Sequence, residues 1–146
     1  MTIDSNPYAA QDLFVSDEWH EAYQRYARAR SESRDIDASP FPRMIDMWWV
    51  ALCLGVREGR RSSLGDKPRK FADGAILGSD PWRVTHLGLI AVAENGSDVL
   101  QRPAEVIRIA CEYAATGSPT LVETMAGHAR PAKPLASALR SIIHQE

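Results

Sequence analysis

The stretch Met44-Ile45-Asp46-Met47-Trp48-Trp49-Val50-Ala51-Leu52-Cys53-Leu54-Gly55-Val56 decides the fold class, because one acid alone interrupts a run that is apolar around every side of a helix. A surface helix carries a single apolar stripe, whereas a helix apolar all round has to be enclosed by other elements. The run is also far shorter than the roughly 20 residues that span a bilayer. It therefore predicts a central helix beginning near Arg43, weakened and ended by Gly55 and Gly59, in a protein that lies in no membrane.

The segments on either side supply what encloses it. Residues 1–15 are polar, with scattered Tyr8 and Phe14, and read as an arm, ordered or disordered, with no periodicity to fix it. Ser16 is a candidate N-cap, with Asp17 and Glu18 at the positive end of a helix running to about Ser31. Trp19, Tyr23, Tyr26 and Ala27 make its apolar seam, and Glu21 and Arg25 pair at i,i+4. Ser31 to Pro42 is a connector.

Beyond the central helix, Phe71 to Ser79 admits a loop, a short strand or part of a hairpin. Asp80-Pro81 opens a helix that Asn95-Gly96 closes. Pro103 opens a fourth helix with Gly117 as its C′ residue, and Ser118-Pro119 starts a short one that reaches Gly127. A last helix, from Pro134 to His144, carries Leu135, Ala138, Leu139, Ile142 and Ile143 at helical spacing. The expectation is a mainly α, compact single-domain bundle of five or six helices over residues 16–146, with a basic loop after the central helix.

The 146 residues suffice for one domain that needs no disulfide or metal to hold its core. Net charge is −2 and the pI about 6.1, so the chain lacks the strongly basic balance of a dedicated nucleic-acid binder and any such contact has to be local. The local candidate is Arg57 to Lys70, with six basic and two acidic residues. Arg57, Arg60, Arg61, Lys67, Arg69 and Lys70 can neutralise phosphates or meet an acidic partner, and Ser62 and Ser63 can add hydrogen bonds. The plain alternative is a solvated basic loop.

Other chemistry has little support. The sequence has no glycine-rich phosphate loop, no dinucleotide fingerprint and no nucleophile elbow. His20, His86, His128 and His144 are scattered without metal-ligand spacing, so neither a metal nor another cofactor is expected. Cys53 and Cys111 read as small buried hydrophobes of a reducing, cytoplasmic compartment. His86 reads as a packing residue. Asp46, expensive to bury alone, needs a partner such as Arg43 or Arg83. Trp48, Trp49 and Trp82 could stack bases but fit core packing better.

From Phe41 onward the order of features resembles the Dnd system-associated protein four family, small helical proteins encoded beside bacterial DNA phosphorothioation genes. The matching residues are Phe41-Pro42-Arg43-Met44-Ile45-Asp46-Met47, then Leu54-Gly55-Val56-Arg57-Glu58-Gly59-Arg60-Arg61 with Val56 in place of an aromatic. They continue with Ser79-Asp80, Ala91-Val92-Ala93-Glu94-Asn95-Gly96, and Ile107 to Gly117 with Glu112-Tyr113-Ala114. The resemblance implies an accessory role in anti-phage DNA modification or restriction and carries over no active-site residue.

Three functions are therefore weighed. The first is a non-enzymatic adaptor of a modification-restriction system that binds a larger effector subunit, with the DNA backbone as an optional second contact through the basic segment. The second is a protein-interaction or homo-oligomerising module using exposed Trp19, Tyr23 and Tyr26. The third, with least support, is a metal-dependent hydrolase or nuclease built on Asp46 and His86.

Overall fold

In the computed structural model, which describes residues 6–27 and 37–145, the chain runs β1 (Asp12–Val15), α1 (Asp17–Tyr26), α2 (Met44–Glu58), β2 (Arg69–Asp73), α3 (Pro81–Asn95), α4 (Pro103–Met125) and α5 (Ala132–Ile143). Two 3-10 turns, Gly74–Ser79 and Ser97–Gln101, lead into α3 and α4. The domain is mainly helical, as its patterning requires, and no helix among the described residues is long and apolar enough to cross a membrane.

The long apolar helix sits at the centre. Ile45, Met47, Trp48, Ala51 and Leu52 are buried on α2, and Gly59 ends it in the left-handed conformation at φ 74°. Its main neighbour is α4, and the two backbones touch. A Cβ on Gly55 would stand 1.8 Å from the Tyr113 carbonyl oxygen, and one on Gly117 would stand 1.9 Å from that of Ala51. Only a residue without a side chain fits either place.

That contact corrects the reading of Gly117 as a helix end. Helix α4 runs unbroken through Pro119, although an interior proline loses a backbone hydrogen bond and ordinarily costs about 3 kcal/mol. Thr116, Gly117, Ser118, Leu121 and Met125 are all buried, so tertiary burial on both sides of the proline outweighs its penalty. Ser118 helps by donating to the Ala114 carbonyl (2.7 Å) while sharing a 2.9 Å hydrogen bond with the buried Tyr23 hydroxyl.

The expected arm is also corrected over residues 6–15, which pack on the core. Tyr8, Leu13 and Val15 are buried, and β1 pairs antiparallel with β2, matching Asp12 to Asp73 and Val15 to Arg69 with an irregularity between Leu13 and Phe14. The segment 71–79 thus resolves as the end of β2 followed by a 3-10 turn. Helix α1 closes at Tyr26, and its expected continuation to Ser31 lies outside the described residues apart from Ala27, which bridges Phe41 in extended conformation. Helix α5 starts at Ala132, two residues before Pro134.

Replacing Gly117 or Gly55 by alanine forces the α2 and α4 backbones apart. We expect each to lower stability by about 3 kcal/mol, seen as a reduced urea midpoint at unchanged m-value; an unaltered midpoint would show that the two helices can separate freely.

Candidate interaction surface

The basic segment is the first place to look, and its charge is largely spent inside the fold. Arg61 reaches Glu94 at the end of α3 (Nε to Oε1, 3.2 Å) and Glu112 on α4 (3.2 Å). Strand pairing sets Arg69 against Asp17 (2.9 Å) and Lys70 against Asp12 (3.0 Å) and Asp73 (2.6 Å). Arg60 faces Glu58 at 3.8 Å, and Arg57 donates to the Gln145 side chain at 3.2 Å.

The loop itself is held on α4. Ser62 donates its amide to the Glu112 carbonyl (3.1 Å) and shares a 2.7 Å hydroxyl contact with Thr116. Ser63 is exposed and accepts from the Gly65 amide. Of the eight residues singled out here, Lys67 alone makes no polar contact among the described residues. Surface pairs of this kind add only about 0–1 kcal/mol each to stability, but they cancel the positive field that a phosphate backbone would need.

The charged chemistry of the helix starts is structural as well. Asp46 accepts from Arg43 (2.9 Å) and Arg83 (3.0 Å), while Asp80 takes a second bond from Arg43 at 3.0 Å, so two acids and two arginines alternate between the N-termini of α2 and α3. Both partners expected for Asp46 are present. Burial would raise the Asp46 carboxyl, but hydrogen bonds from Arg43 and Arg83 outweigh it and hold the group below the usual carboxylate range. Arg83 is nearly buried, and its Nε and Nη1 lack hydrogen-bond acceptors. The guanidinium instead lies 5.4 Å from the Trp49 ring and 4.9 Å from that of Trp82, whose faces attract the cation.

His86 stacks edge-on to Trp49 and Trp82 and bonds the Trp82 carbonyl at 2.7 Å through Nδ1. With Asp46 held by two arginines, the pair has the geometry of packing rather than of an acid and base. Among the described residues no three His, Cys, Asp or Glu side chains are placed to hold a metal ion. Cys111 is buried and its thiol pushed up to about 11, chiefly by that burial. Cys53, expected inside, is exposed.

The aromatic seam of α1 also turns inward. Tyr23 and Tyr26 are buried and Trp19 is partly so, packed against the core, so the three do not form the exposed patch expected of them. Of the tryptophans, Trp48 and Trp49 are core residues and Trp82 is half exposed.

The apolar surface that does remain open lies between α2 and α5. Leu135 is the one buried side chain of α5. Leu139, Ile142 and Ile143 face Trp49, Val50, Cys53 and Leu54 across a cavity of about 290 Å³ with Arg57 at its edge. Ile143 is 71% exposed. Trp49 on its wall meets the Trp82 ring edge-on at 5.4 Å. The periodicity of α5 identified its stripe, but in the sequence a stripe that meets a groove reads the same as one that fills a core.

No family model, curated protein or solved structure matches the chain. The likeness to the Dnd-associated proteins rests on the quoted residues alone, and in this fold many of them build the two ion-pair clusters and the α2–α4 contact.

Asp46→Asn strips the buried Arg83 of its charged acceptor, and we expect a loss of about 3 kcal/mol at neutral pH. The folded carboxyl titrates below the unfolded one, so its contribution is complete above a pH of about 4 and is lost as pH falls through the folded value. Denaturation measured across that range should therefore show a smaller acid-induced loss in the variant than in the parent; parallel pH profiles would show that Asp46 does not contribute it.

Proposed function

We propose that the chain is a non-enzymatic adaptor that binds a larger protein subunit through the groove between α2 and α5. The observation that carries this reading is the open apolar cavity between α2 and α5, where Leu139 and Ile142 are only partly buried and Ile143 stands exposed. Singly exposed hydrophobic side chains are ordinary, whereas a contiguous set around a concavity marks a place where another molecule sits. The cavity lies at the small end of ligand pockets, which run to roughly 300–1,000 Å³, and among the described residues Arg57 is the one charged group on its wall. A small metabolite would need several convergent polar groups to orient it; apolar side chains from another protein do not.

The same electrostatics turn the reading away from the DNA backbone. Counterion release requires cations that are free to meet phosphates, and Arg61, Arg69 and Lys70 already meet carboxylates from other parts of the fold. The likeness of residues 41–61 and 79–117 to the Dnd-associated proteins supports an assignment of the larger subunit to a bacterial DNA modification or restriction complex.

The test is co-expression with the products of the genes flanking its own. We expect one larger subunit to co-purify in fixed stoichiometry, to be lost with Ile143→Asp, and to be retained with Arg60→Glu. A titration of plain and phosphorothioated duplexes should give no salt-dependent isotherm. Retention of the subunit by Ile143→Asp would overturn the groove assignment, and duplex binding lost in Arg60→Glu would restore the basic segment as the site.

A further inference from the structure

Resting on the groove assignment above, we propose that its occupant is an amphipathic helix of a partner protein whose apolar stripe is flanked by acidic side chains. Charge specifies that flank. Gly127 to Gln145 contains Arg130, Lys133 and Arg140 and no acidic residue. Among the described residues every ion pair lies between Asp12 and Glu112, so none includes a side chain of this segment.

Two cations belong to the helices that form the groove. Arg57 lines the cavity from α2 and is engaged by the neutral Gln145 side chain. Arg140 is exposed on α5 and lies about 60° around the helix from Ile143, on the flank of the apolar stripe. Elsewhere Arg43, Arg61, Arg69, Lys70, Arg83 and Arg108 meet carboxylates from the fold. Arg57 and Arg140 have no carboxylate partner among the described residues, on the two helices of the groove where Leu139 and Ile142 are partly buried and Ile143 is exposed.

An arginine next to an apolar groove suits a partner that brings both parts together. An amphipathic helix lays its apolar face into a groove and presents its flanks to the rim, and rim charges of opposite sign set orientation, partner choice and rate of encounter. A phosphate backbone would set its charges against the apolar wall of the cavity. An uncharged apolar helix would bury the floor and gain nothing from the rim.

The test uses two labelled, stapled helical peptides with the same leucine stripe, one flanked by glutamate and the other by lysine, titrated by fluorescence anisotropy. We expect the glutamate peptide to bind about tenfold more tightly at low salt, with the advantage shrinking as salt screens it. The double variant Arg57→Glu, Arg140→Glu should reverse the preference. Ile143→Asp should abolish binding of both peptides, and because all three positions are exposed the variants should melt as the parent does.

Equal binding of the two peptides would overturn the acidic partner and leave the groove standing. Binding of neither would overturn the groove assignment itself. A concentration-dependent mass abolished by Ile143→Asp would give the groove to a second copy of the chain, and duplex binding lost in the double variant would give it to nucleic acid; either result overturns the proposal.

Discussion

The backbone contact between α2 and α4 is the constraint on which the rest of the structure depends. With Gly55 against the Tyr113 carbonyl and Gly117 against that of Ala51, the two longest apolar faces meet without intervening side chains. Close packing then follows for the flanking residues, and Trp48, Leu52, Ile109 and Leu121 become fully buried. The contact also explains why α4 tolerates a proline. A break at Pro119 would have to reposition Gly117, two residues away, and the helix keeps one rigid line from Pro103 to Met125.

Around this axis the smaller elements are attached by charge as much as by burial. Arg43 and Arg83 tie the starts of α2 and α3 together through Asp46 and Asp80. Arg61 ties the loop after α2 to the end of α3 and the middle of α4 through Glu94 and Glu112, where the Tyr113 hydroxyl donates to Glu94 at 2.7 Å. Burying charge is unfavourable unless it is paired, so such clusters fix relative placement more than they add stability. That accounts for charged residues recurring beside apolar ones at the helix starts and at the α3–α4 corner: they specify how the helices meet.

Much of the helical plan was legible because its signals are local. Asp80-Pro81, Asn95-Gly96 and Pro103 sit at element ends, and the all-round apolar character of residues 44–56 placed α2 at the centre. The errors have a shared physical cause in long-range contacts. Leu13, Phe14 and Val15 form an apolar run within only four strand residues, too few to show a strand whose partner, Arg69–Asp73, lies far along the chain. Gly117 followed by Ser118-Pro119 is a valid local stop signal, overridden by a helix packed 62 positions away in sequence at Gly55. The basic segment looked free because Asp12, Asp17, Glu94 and Glu112 are distant in sequence and adjacent in space.

The same blindness to distance inverted the electrostatic map. A count along the chain finds its most basic run between Arg57 and Lys70, yet the field at a surface depends on what faces each cation. Strand pairing and the α3–α4 corner bring carboxylates to that run. Nothing comparable happens at Gly127 to Gln145, where three cations and no acids pass unnoticed in the sequence because they are spread along a helix whose apolar stripe draws attention first. That stripe is fully buried at Leu135 and only partly at Leu139 and Ile142, and it ends on exposed Ile143 with Arg140 on its flank. A core-facing helix would have buried the stripe, and a solvated one would have had little stripe to bury. An element with one buried anchor, an open groove and unmatched charge has the composition of half an interface.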